Sequence, residues 1–151
     1  MGYYLQAIVG RRELLARHLC DYAGARLVDL EQGLALIPMT DELFDEIGSG
    51  VKKADIFKYS EGVAKWLVQI SSEGPVAYIE AEYFGGAGGQ NAAFFQNHKE
   101  TLFADNGSGN INAVLRLLGA EVGVEHDEFE AVGLPRHRDM DDWIAEATRP
   151  T

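Results

Sequence analysis

Residues 76–84 (Val-Ala-Tyr-Ile-Glu-Ala-Glu-Tyr-Phe) constrain this fold most, because an unbroken β-prone run leads straight into Gly85-Gly86-Ala87-Gly88-Gly89. Gly74-Pro75 interrupts the chain just before it, so the run reads as a complete strand. A strand has period two. Ala77, Ile79, Ala81 and Tyr83 therefore share one face, and Val76, Tyr78, Glu80, Glu82 and Phe84 share the other. Four glycines in the five positions after Phe84 remove side chains where the chain must turn or let another group approach. The glycine segment 85–89 is thus the leading candidate for a functional loop, and a plain inter-strand connection is the alternative.

The flanking sequence supplies the partners of that strand. Tyr3–Val9 is apolar and β-prone, and Arg11–Tyr22 carries Leu15, His18, Leu19 and Tyr22 at helical spacing, with Gly24 at its end. Arg26–Leu30 and Leu34–Met39 flank Glu31-Gln32-Gly33 and read as a hairpin that Pro38 closes. Thr40 and Ser60 are expected N-caps for helices 41–47 and 61–71; the second turns Val63, Trp66, Leu67 and Ile70 inward. Residues 51–59 show no period. Ala92–Gln96 and Thr101–Phe103 form a second hairpin signal around Asn97-His98-Lys99-Glu100. Asn110 is expected to cap a helix carrying Ile111, Val114, Leu115 and Leu118, with Gly119 as its left-handed end. A last helix begins between Asp139 and Asp142 and carries Met140, Trp143, Ile144 and Ala147. Paired hairpins mean antiparallel strands, so the chain is expected to be a single α+β domain, an antiparallel or mixed sheet covered by helices.

Composition narrows the function. The chain has 151 residues and a net charge of −11, which disfavours binding to nucleic acid. Residues 121–151 carry nine acids and three bases, so more than half of that charge lies in the last fifth. This is either a solubilising surface or a face for a basic partner. No apolar run is long enough to span a bilayer, and the N-terminus has no basic and apolar leader pattern. A lone cysteine, Cys20, fits a reducing cytoplasm.

Several common chemistries are unsupported. Gln90-Asn91 follows the glycines where a phosphate loop needs Lys-Ser or Lys-Thr, and a dinucleotide fingerprint needs glycine in place of Asn91. The four histidines, His18, His98, His126 and His137, form no metal-binding pair, and Cys20 has no evident activating partner; no cofactor is expected. Glu80 and Glu82, on one strand face beside the glycines, are suited to acid–base work or to contact with a partner; the plain alternative is a solvated strand face. His98 is across the expected hairpin from them. Asp127, Glu128 and Glu130 form an acidic cluster next to Phe129, Val132 and Leu134, which pin the segment. Arg136 and Arg138 are expected to pair with nearby acids; the alternative is that they hold a carboxylate or phosphate group.

Three blocks together carry a resemblance: Ala77–Gln90, Ile111–Gly119, and Asp127-Glu128-Phe129 with Gly133-Leu134, Arg138 and Trp143. On these the chain resembles a group of small, acidic, single-domain bacterial proteins without an assigned activity. By analogy of size and charge, it is similar to immunity proteins that neutralise toxin enzymes. Such a likeness implies a cytoplasmic protein-binding module that takes a basic toxin domain. Its contact residues are expected at Glu80, Glu82, Gly86, Gly88, Gln90, Asp127, Glu128 and Glu130. The alternative is a small enzyme or small-molecule binder centred on 85–89 and Glu80/Glu82, which requires a concave pocket there.

Overall fold

The computed structural model describes residues 2–48, 57–84, 87–105 and 107–148. Gly86, among the expected contact residues, lies outside the described residues, as does most of the stretch 51–59 expected to be irregular. The strands are β1 Tyr3–Arg11, β2 Val28–Asp29, β3 Leu34–Pro38, β4 Val76–Phe84, β5 Ala87–Gln96 and β6 Lys99–Phe103. They form one sheet in the order β2-β3-β1-β4-β5-β6 with every neighbouring pair antiparallel. The helices are α1 Arg12–His18, α2 Asp41–Ile47, α3 Glu61–Ile70, α4 Asn110–Leu117, the single turn α5 Glu128–Ala131, and α6 Met140–Glu146. The fold is α+β.

Both faces of the sheet are covered. Leu14 and Leu15 of α1, Leu43 of α2, and Val63, Trp66, Leu67 and Ile70 of α3 pack on Ile8, Ile37, Val76, Tyr78 and Phe95. Ile111, Val114 and Leu115 of α4, then Val132, Leu134 and Trp143, pack on Leu5, Ala7, Ala77, Ile79 and Phe94. Central strand β4 is therefore buried on both sides from Val76 to Ala81 and only then emerges. This explains why its sequence starts as a near-continuous apolar run and becomes charged later.

Local rules account for many boundaries. Thr40 Oγ1 accepts from Leu43 N at 3.0 Å, Ser60 Oγ from Val63 N at 3.2 Å, and Asp139 Oδ1 from Asp142 N at 3.0 Å, each an N-cap. Gly119 (φ +101°) ends α4, with its N–H donating to Arg116 O and the Ala120 N–H to Leu115 O. That pattern satisfies two of the carbonyls a helix end leaves open. Three expectations change. The first helix is shorter than 11–22, ending at His18 and passing into a 3₁₀ turn over Leu19–Asp21. Gly88 and Gly89 belong to β5, facing Tyr83 and Glu82 across the ladder, so these two glycines are strand residues. The second hairpin turns on Asn97-His98 alone (φ +53° and +67°), and Lys99 already belongs to β6.

Candidate functional site

Beyond Tyr78, the face of β4 that carries α2 and α3 runs on to Glu80, Glu82 and Phe84. There it borders a cleft of about 230 Å³ lined by Gln6, Phe57, Glu80, Ala81, Glu82, Gly88, Gly89 and Asn91. Register places these groups together. Gln6 of β1 is opposite Glu80, Glu80 is opposite Asn91 of β5, and Glu82 is opposite Gly89. Glycine at 89 leaves the wall beside Glu82 without a side chain. Gly88 (φ +141°) has no room for one, since a Cβ there would overlap the carbonyl oxygen of Glu82 and stand 2.8 Å from Tyr83 Cα.

The two carboxylates on this face have different environments. Glu82 is exposed, as expected of a strand face. Glu80 is only 8 % exposed, which corrects the solvated reading for that residue. Its Oε1 accepts from Phe57 N at 2.9 Å; its Oε2 accepts from Lys58 N at 2.6 Å and from the Tyr78 hydroxyl at 2.6 Å. Burial pushes the Glu80 carboxyl above its ordinary range, against the pull of the Tyr78 hydroxyl and the two amides. Burial and the adjacent Glu80 charge push the Tyr78 phenol well up, so it stays a donor. Tyr78 stacks on Tyr59 (centroids 5.2 Å apart, planes at 21°), and the Tyr59 hydroxyl donates to Glu100. Lys58 Nζ forms an ion pair with Asp41 and donates to Met39 O at 3.4 Å. His98 does not approach the carboxylates. It sits in the turn beyond Gln96, where its N–H donates to Ser71 Oγ at 2.9 Å, at the far end of β5 from Asn91.

Gln6 was not visible as a candidate from periodicity alone. It is 2 % exposed, yet its side-chain Oε1 has no hydrogen-bond partner among the described residues. It lines both this cleft and a neighbouring cavity of about 290 Å³ bordered by Asp41, Phe57 and Lys58. A polar residue at the centre of the apolar run Tyr3–Val9 was the one sequence signal that marked it. Phe57 remains 48 % exposed and forms the lip between the two cavities.

The other expected contact residues lie on the opposite face of the sheet, where they hold helices. Gln90 Oε1 accepts from Ile111 N at 2.9 Å and so caps α4. Asn110 is not the cap; it is the first residue of α4, and its Nδ2 donates to Gln90 O and to Asp105 Oδ1. Asn112 Oδ1 accepts from Phe129 N at 2.8 Å, and Asn112 Nδ2 donates to Asp127 Oδ2. Asp127 Oδ1 caps α5 by accepting from Glu130 N, and Glu130 Oε2 accepts from His126 N. Glu128 takes two bonds from Arg116, which hold its carboxyl below the ordinary range. The three blocks of the resemblance are thus stitched to one another. The acidic cluster is a set of internal bonds, and the structure does not bring it together with Glu80 and Glu82.

Remaining candidates have structural partners. His18 is held between Asp21 and Glu73 at 2.8 Å each, and Asp21 also accepts from Trp66 Nε1. Arg136 pairs with Glu146 and donates to Asp29 O, as expected of an intramolecular partner. Cys20 is exposed, with its Sγ 3.6 Å from Arg17 O. Among the described residues no three His, Cys, Asp or Glu side chains are grouped to hold a metal, and no helix is long and apolar enough to cross a membrane. No protein-family model matches this chain, and neither does a curated protein or a solved structure.

Proposed function

We propose that this chain is a protein-binding module of the immunity type, which neutralises a basic toxin domain by engaging it at the cleft of Glu80 and Glu82. One observation carries this reading. In a chain of net charge −11, the described walls of this cleft hold two carboxyl side chains and no lysine or arginine. A concave acidic site on an acidic body attracts a cationic partner at long range and rewards it on contact. The C-terminal acids contribute to the long-range field; Asp127, Glu128 and Glu130 are already committed to local bonds. Low-salt affinity capture with the intact chain and with its Glu82→Lys variant tests the reading. A basic protein that is retained by the intact chain, released by salt and lost from the variant is expected. Capture of the same proteins by both, or of none, overturns it.

The cleft also supports a second reading, a small-molecule binder at the same place, because it is concave and buries a hydrogen-bonded carboxyl group. At about 230 Å³ it falls below the ~300 Å³ at which pockets for drug-sized ligands begin, so it accommodates one functional group. That size fits a side chain reaching in from a partner.

A further inference from the structure

The unpaired oxygen of Gln6 specifies what enters the cleft. A buried amide oxygen without a donor is costly, and such atoms are few in folded proteins. Here it sits beside Glu80, whose carboxylate has already accepted three donors, from Phe57, Lys58 and Tyr78. A carboxylate has about four acceptor positions, so roughly one is left at Glu80. Glu82 brings a full exposed charge to the same walls. Lys58, next to Phe57 in the chain, is committed to its pair with Asp41, its bond to Met39 O and the ring of Phe57, with its ammonium 5.6 Å from the ring centroid. The cleft therefore presents acceptors on Gln6, Glu80 and Glu82, with the ring of Phe57 at its lip and bare glycine backbone at Gly88 and Gly89.

We infer that this cleft is a receptor for a single guanidinium group, presented by an arginine side chain of the protein partner. This rests on the protein-binding reading above. Three acceptors at separate positions suit a flat cation with five N–H donors better than a compact ammonium. Opposed to Glu82, the guanidinium makes charge-assisted bonds; opposed to Gln6, it supplies the donor the amide lacks. Phe57, whose ring already carries the Lys58 ammonium, offers its exposed surface to the methylene stem behind the guanidinium. Glycine at 89, opposite Glu82 in the ladder, places no side chain on the wall beside that carboxylate.

The test uses the full chain, titrated with N-acetyl-arginine amide and followed by amide chemical shifts. Saturable shifts at Glu82, Gly89 and Asn91 are expected. N-acetyl-citrulline amide, the neutral isostere, and N-acetyl-lysine amide should each bind at least about tenfold more weakly, the equivalent of one lost charge-assisted bond. Gln6→Leu and Glu82→Gln should each weaken the arginine probe by about the same factor. Glu82 is exposed, so its variant reports on binding even if the buried substitution disturbs folding. Citrulline or lysine binding as tightly as arginine, saturable binding of acetate in the cleft, or shifts confined to other surfaces overturns the inference. If the arginine probe fails while Glu82-dependent capture of a basic protein persists, this inference alone falls. If the probe binds and no such protein is captured, the cleft chemistry stands and the protein-binding reading falls.

Discussion

Gln6 and Glu80 stand directly opposite one another across the β1–β4 ladder, both buried, and their hydrogen bonding is lopsided. Glu80 accepts from three donors, whereas Gln6 Oε1 accepts from none among the described residues. The described hydrogen bonds concentrate on the carboxylate and leave the amide oxygen unsatisfied. Replacing Gln6 with leucine removes the unpaired oxygen and keeps the volume similar. The variant should be more stable by about 1 kcal/mol, read by chemical denaturation, while losing affinity for a guanidinium probe. A stability loss above ~1 kcal/mol would show instead that the amide has a structural role.

Glu80 also sets a pH dependence of unusual sign. Its carboxyl is raised above the ordinary 4.5 by burial, so the folded chain holds that proton more tightly than the unfolded chain. The contribution is present in full below the ordinary value and is lost as pH rises through the raised one. Glu73, Asp105 and Glu128 are lowered by bonds from His18, Asn110 and Arg116, so they act in reverse, and their contributions are lost as pH falls. Comparing the chain with Glu80→Gln separates the two effects. The stability advantage of the parent over the variant should shrink from about pH 4 to about pH 7. An advantage that grows over that interval would contradict the raised carboxyl.

Gly88 is fixed by close approach. Its φ of +141° and the overlap of any Cβ with the Glu82 carbonyl make Gly88→Ala unable to keep the β4–β5 ladder as it stands. A loss of about 2–4 kcal/mol is expected in denaturant melts. Gly109→Ala is the control, because nothing lies within 4 Å of a Cβ there and its φ of −104° suits any residue. Equal effects at the two positions would remove the argument from close approach.

These residues also show why some features were legible in the sequence and others were not. Thr40, Ser60 and Asp139 cap helices by bonds to residues three further on, so a local pattern suffices. The face carrying Val63, Trp66, Leu67 and Ile70 was legible for the same reason. The burial of Glu80 depends on amides 22 and 23 positions away, and a period-two pattern carries no trace of them. Asn110 looked like a cap until Gln90, twenty residues upstream, took that role. Gly88 and Gly89 looked like loop because glycine is poor in strands; only the register against Tyr83 and Glu82 shows that the backbone needs them there. The concave cleft required by the ligand-binding alternative could be described from the sequence, but its Gln6 wall could not.

Gln90 gives the last prediction, because it separates a scaffold role from a contact role. Its Oε1 satisfies the Ile111 amide at the start of α4, whose own N-cap, Gly109, has no side chain to offer. Gln90 O also accepts from Asn110, so strand β5 and helix α4 are tied at two points. Gln90→Ala removes only the side-chain tie, and the cost should match a lost N-cap, about 1 kcal/mol. The cleft of Glu80 and Glu82 lies on the other face of the sheet, so affinity for a guanidinium probe should stay within about twofold. Probe titrations and denaturant melts on the same variant read both quantities. Loss of probe affinity without loss of stability would move Gln90 from the scaffold to the contact surface.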